Sequence, residues 1–172
     1  MVIKDRIKSF INSIPGWNSK RKIIVIESDD WGSIRIPDKE TYNKLLSSGV
    51  RVDRCPFNKY DCLASEKDLS LLFETLDEFK DINGNPPVLT INCVLANPDF
   101  DRIRYLDFNE YHYELFTETL KKYPNHIHSF KLWQEGISSS LIRPQFHGRE
   151  HLHVPRWMNA LKQNLPETRL AF

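Results

Sequence analysis

Apolar and polar residues follow two rhythms along this chain, and the rhythms predict its elements. Val2, Ile3, Ile7, Phe10, Ile11 and Ile14 fall on one helical face, so residues 2–14 read as a packed N-terminal helix stopped by Pro15-Gly16. Ile23–Ile26 is an unbroken β-branched run, the pattern of a strand buried on both faces. It runs directly into the polar stretch Glu27-Ser28-Asp29-Asp30-Trp31-Gly32-Ser33. Residues 37–48 read as a short helix ended by Gly49, and 50–64 as irregular. Ser65 opens a stronger helix: it can cap the first turn, Asp68 follows three residues on, and Leu69, Leu72, Phe73, Leu76 and Phe79 recur at helical spacing.

Asn83-Gly84-Asn85-Pro86-Pro87 breaks that helix, and Val88–Val94 is a second buried strand, with a turn at 96–99. Residues 109–123 read as a helix with Tyr113, Phe116 and Leu120 inward. A short strand is expected at 127–132 and a helical turn at 133–141. Leu141–Phe146 reads as a third strand, weakened by Pro144. Val154–Leu165 reads as a helix with Pro155 in its first turn, and Thr168–Phe172 as a strand just beginning. Strand–helix alternation of this kind predicts an α/β fold: a mainly parallel sheet with flanking helices. The 172 residues suit one domain. A strand beginning at the last residues leads us to expect the N-terminal portion of a larger one.

Charge narrows the partners. There are 24 basic and 23 acidic residues, which gives no electrostatic reason to expect nucleic acid or an anionic membrane surface. No stretch is apolar and long enough to span a bilayer, and the N-terminus lacks the unbroken apolar core of a signal peptide. Cys55, Cys62 and Cys93 are an odd, scattered set, best read as reduced thiols of a cytoplasmic protein. There is no Gly-x-Ser-x-Gly elbow and no phosphate-cradling glycine loop.

Two motifs carry candidate chemistry. Asp29-Asp30 ends the first strand, where ligands bind in parallel sheets. Adjacent carboxylates repel, and a divalent cation relieves that repulsion. His147-x-x-x-His151 follows the third strand, and four-residue spacing lets both imidazoles grip one ion. One carboxylate with two imidazoles suits Zn²⁺, or Co²⁺, Ni²⁺, Mn²⁺ or Fe²⁺, and leaves room for water. A second carboxylate beside that water supplies a base, which is the equipment of metal-assisted hydrolysis.

The stretch Ile-Ile-Val-Ile-Glu-Ser-Asp-Asp-Trp-Gly, residues 23–32, resembles the first motif of NodB-type polysaccharide deacetylases (carbohydrate esterase family 4), and His-Gly-Arg-Glu-His-Leu, residues 147–152, resembles the second. The resemblance covers roughly residues 20–160. It implies part of a distorted (β/α) barrel that removes acetyl groups from N-acetylated sugars. On the matching positions it implies Asp29 as catalytic base and Asp30, His147 and His151 as ligands of a divalent metal, usually Zn²⁺. Trp31, Asn97 and Arg149 are candidate substrate contacts. The sequence departs from the family in Ser28, Gly148 and Leu152, which replace a Phe, a Ser/Thr and a Pro. The family's later motifs, including the Leu-His of the general acid, have no counterpart. Two other readings stay open: a non-catalytic relative that binds a sugar or a partner, and another metallohydrolase such as a phosphoesterase. A homo-oligomer is expected if a second copy covers the incomplete barrel.

Overall fold

A computed structural model describes residues 2–13, 16, 19–60 and 63–172. Five strands and nine α-helices alternate among them: α1 Val2–Ser13, β1 Glu27–Trp31, α2 Lys39–Ser47, α3 Phe57–Tyr60, α4 Glu66–Glu78, β2 Leu89–Val94, β3 Ala96–Pro98, α5 Phe100–Tyr105, β4 Tyr113–Leu115, α6 Phe116–Lys121, α7 Ser129–Ser138, β5 Ile142–Gly148, α8 Val154–Lys162 and α9 Pro166–Ala171. Three strands form a parallel sheet in the order β1-β2-β5, and β3 and β4 form a small antiparallel pair. The expected parallel sheet with flanking helices is therefore present, and no closed barrel is seen among the described residues. No helix among them is long and apolar enough to cross a membrane.

The sheet is fixed by its middle strand. Alternate residues Leu89, Ile91 and Cys93 of β2 are buried in one cluster with Leu69 and Leu76 of α4 and Trp133 of α7. Each fully buried aliphatic side chain of this kind contributes roughly 1.5–3 kcal/mol. The other alternate positions, Thr90 and Asn92, are polar and only half buried. Helix α4 begins as its sequence predicts: the Ser65 side chain accepts from the Asp68 backbone N–H, and the Asp68 carboxylate accepts from that of Ser65. A second cluster joins Ile103 and Phe108 to Met158 and Leu161, with Phe172 packed against it.

Several expectations are corrected. Strand β1 starts at Glu27, not within Ile23–Ile26: the ladder to β2 opens at Glu27↔Thr90, so the apolar run projects past the start of its neighbour and is exposed. The 96–99 turn is strand β3. It pairs with β4, which occupies the start of the helix expected at 109–123; Tyr113 is exposed, while Phe116 and Leu120 point inward as predicted. The strand expected at 127–132 is instead a turn at 127–128 followed by helix α7 from Ser129, because Ser129, Trp133 and Gly136 bury one helical face against α4. Thr168–Phe172 is the end of helix α9, started by Pro166 in its first turn, and not a strand. Phe79 caps α4 and is exposed. Helix α1 forms, yet Ile7 and Ile11 face solvent instead of packing. Its expected stop at Pro15 and the thiol of Cys62 lie outside the described residues.

Candidate metal centre

Two β-bulges build the site. Between Ser28↔Ile91 and Trp31↔Cys93, β1 carries one residue more than β2. Between Cys93↔Phe146 and Val94↔Gly148, β5 carries one residue more, His147. An extra residue kinks a strand and re-aims its side chain. In β1 the chain absorbs it with Asp30 in the left-handed region, φ 64, where Asp is among the better-tolerated residues. In β5 it is followed by Gly148 at φ 141, a conformation that side chains rarely adopt. The loop after β5 is then tied back to the end of β2, with Leu95 N–H donating to Gly148 O at 3.1 Å and Ala96 N–H to Arg149 O at 2.7 Å.

The outcome is convergence across more than a hundred sequence positions. His147 Nε2 lies 3.4 Å from Asp30 Oδ1, and His151 Nδ1 lies 3.6 Å from Asp30 Oδ2. One donor atom from each of the three residues fits within 4.8 Å of the others. The two imidazoles lie nearly parallel, 6.0 Å apart and 14° from coplanar. His147 stands at the end of β5 and His151 in the loop beyond it, so a strand–loop junction brings them together.

The donors suit a divalent ion. Asp30 Oδ1 is buried and accepts no hydrogen bond from any described residue. A buried acceptor of that kind costs about 1–3 kcal/mol unless something satisfies it, and a cation beside His147 would do so. Asp30 Oδ2 is held by Arg35 Nη2 at 2.9 Å. Asp29 is exposed beside the cluster, and its Oδ1 accepts from Asn92 Nδ2 at 2.6 Å. A cavity of about 180 Å³ is lined by Asp29, Asp30, Trp31, Arg35 and Tyr60. Another, of about 230 Å³, is lined by Arg35, Phe100, Glu150, His151 and Trp157. The cluster thus stands between two hollows, with Ser33 and Arg35 bordering both.

The three expected substrate contacts are placed differently from one another. Trp31 borders the first hollow while its ring meets Trp133 edge-on at 5.7 Å, so it is both rim and core. Asn97 is almost fully buried: its Oδ1 accepts from Ile34 N–H at 2.9 Å, and its Nδ2 donates to Gly32 O at 2.9 Å and Thr119 Oγ1 at 3.2 Å. Its side chain braces the loop after β1. Arg149 makes two hydrogen bonds to Glu150 and lies 4.6 Å over the Tyr113 ring; the paired carboxylate raises its pKa further. Beneath it, burial, aided by Glu150, pushes the Tyr111 hydroxyl up to about 12.

Sequence reasoning missed Arg35 as a partner of Asp30 and Asn92 as a partner of Asp29. Asn92 leaves a trace, since a polar residue inside the apolar run Leu89–Val94 calls for a polar neighbour across the sheet. No family model, curated protein or solved structure matches the chain. Fold and site together define an α/β protein with an open carboxylate–imidazole cluster at the carboxyl edge of a parallel sheet.

Proposed function

We propose that the protein is a metal-dependent hydrolase that removes acetyl groups from N-acetylated sugars, with Asp30, His147 and His151 holding the ion and Asp29 acting as the base. The observation that carries this reading is the convergence of those three side chains with a fourth, separately anchored carboxylate beside them. On the same reading, the three parallel strands belong to a distorted (β/α) barrel and the protein works in the cytoplasm on a carbohydrate. A divalent ion, Zn²⁺ by the donor set, would supply Lewis acidity toward water and the acetyl carbonyl.

The chain's own residues divide the remaining work. Asn92 occupies Oδ1 of Asp29 and leaves Oδ2 for a water proton. Asp29 takes that proton as the water oxygen attacks the acetyl carbon, and returns it to the nitrogen as the C–N bond breaks, giving acetic acid, which ionises in solution, and a free amine. Backbone N–H groups near Trp31 or Gly32, which border the first hollow, would stabilise the negative charge that develops on the acetyl oxygen. Trp31 offers an apolar rim to a sugar ring. The test is acetate and amine release from N-acetylated oligosaccharides in the presence of Zn²⁺ or Co²⁺. Asp29→Asn is expected to lower kcat by about 10²–10⁴ while the metal stays bound. Full turnover by Asp29→Asn would contradict the assignment.

A further inference from the structure

We infer that Arg35 is a positioning residue for the cation site: its guanidinium holds Asp30 by Oδ2 and so keeps Oδ1 turned toward His147 for the ion. The inference rests on the metal site proposed above.

The bulge aims Asp30 out of the ladder but leaves the plane of its carboxylate undetermined, because the terminal torsion of an Asp side chain is broad. Something further must set it. Arg35 Nη2 donates to Oδ2 at 2.9 Å, a charge-assisted bond between side chains only 27% and 19% exposed. The two oxygens are thereby divided. Oδ2 faces Arg35, with His151 Nδ1 at 3.6 Å; Oδ1, buried and accepting no hydrogen bond from any described residue, faces His147 Nε2 at 3.4 Å.

Arg35 is itself held from elsewhere in the fold. The loop between β1 and α2 turns at Gly32, φ 85, where a Cβ would come within 3.0 Å of Val94 O and 3.1 Å of the Phe116 ring. Asn97 then clamps both sides of the turn through Gly32 O and Ile34 N–H. The guanidinium lies 5.9 Å from the centre of the Phe57 ring. A line of contacts thus runs from Thr119 through Asn97 and the loop to Arg35 and the carboxylate. An exposed ion pair fixed at neither end would contribute little. This pair is half-buried, and its arginine lies beside the Phe57 ring on a loop that Asn97 holds.

Two effects of opposite sign meet here. A guanidinium near a dication repels it, while an outer partner that orients a ligand strengthens binding, typically by 10–100-fold. The division of the carboxylate oxygens favours orientation, since Arg35 sits on Oδ2 and leaves the unsatisfied Oδ1 facing His147.

Co²⁺ titrations of the metal-free protein, followed by calorimetry and by the visible absorption band of the bound ion, test this. Arg35→Met is expected to weaken Co²⁺ binding by about 10–100-fold and to shift the band. Arg35→Lys is expected to restore most of the affinity and the native band. Should Arg35→Met fail to fold by circular dichroism, Arg35→Gln is read in its place. Co²⁺ binding as tight as native, or tighter, in the Met or Gln variant overturns the inference, for that is what a merely repelling guanidinium gives. His147→Ala separates the two levels. If it loses Co²⁺ while Arg35→Met does not, only the role of Arg35 falls; if it binds Co²⁺ like the native chain, the metal site falls with it.

Discussion

The apolar run of the middle strand and the one that leads into β1 are comparable in sequence and meet opposite fates, and β5 divides between them, with Ile142 buried at its start and Phe146 exposed near its end. Leu89, Ile91, Cys93 and Val94 of β2 are all buried, whereas Ile24 before β1 is 86% exposed and Phe146 of β5 is 72% exposed. Strand β2 has a partner on each edge and α4 and α7 within its core cluster. Strands β1 and β5 each have one partner, so their outer edges are open among the described residues. The difference teaches where stability and chemistry lie. Packing holds β2 as a rigid rail, and the two bulges on either side of it present Asp30 and His147 over its carboxyl end. The site lies at the seam between the closed and the open parts.

Mutations graded across that seam sharpen or break the comparison. The largest effect is expected from Ile91→Ala, which empties the centre of the cluster and should lower the unfolding free energy by about 2–5 kcal/mol in urea titrations. A loss under about 1 kcal/mol would mean that β2 is not the rail. Next is Cys93. Burial pushes its thiol up to about 11 from 9.0. The neutral thiol is therefore the form the fold favours, and its contribution is complete below pH 9 and lost as pH climbs toward 11. Urea midpoints at pH 8 and pH 10.5 should fall in that order, and the fall should shrink in Cys93→Ala. Gly136→Ala comes third. A Cβ there overlaps the Phe73 ring between α7 and α4, and about 1–3 kcal/mol of destabilisation is expected despite the better helix propensity of Ala. Ser65→Ala removes the cap of α4 and should cost about 1 kcal/mol. The smallest effect belongs to the open side: Ile24→Ser should change stability by no more than about 0.5 kcal/mol. A larger loss there would show that the exposed run is covered in solution.

Legibility in the sequence followed the range of the interactions. The cap and stripe of α4, the run of β2 and the Pro-initiated α8 are set by neighbours within a few residues, and they were readable. The start of β1 was not, because an apolar run becomes a strand only where a partner lies beside it, and the ladder to β2 opens at Glu27, opposite Thr90. The β3–β4 pair was hidden for the same reason, being three residues matched to three across a gap. Residues 127–132 are too short a mixed stretch to show helical spacing, and only the fit of Ser129, Trp133 and Gly136 onto α4 makes the chain helical from Ser129. At the site, Asp29, Asp30, His147 and His151 were legible as types of residue at strand ends. Arg35 and the bracing by Asn97 were not: the Arg35–Asp30 bond spans five residues across an irregular loop, and Asn97 reaches partners 22 to 65 residues away, while Asn92 left only the trace of a polar residue inside an apolar run.

X-ray absorption at the zinc edge of protein loaded with one equivalent of Zn²⁺ would count the ligands of the ion. The account predicts one ion per chain with two imidazoles and at least one carboxylate oxygen in its shell, and loss of the imidazole signal when His147 and His151 are both replaced by Ala. An unchanged spectrum in that double variant, or a shell without imidazole in the native chain, would contradict it.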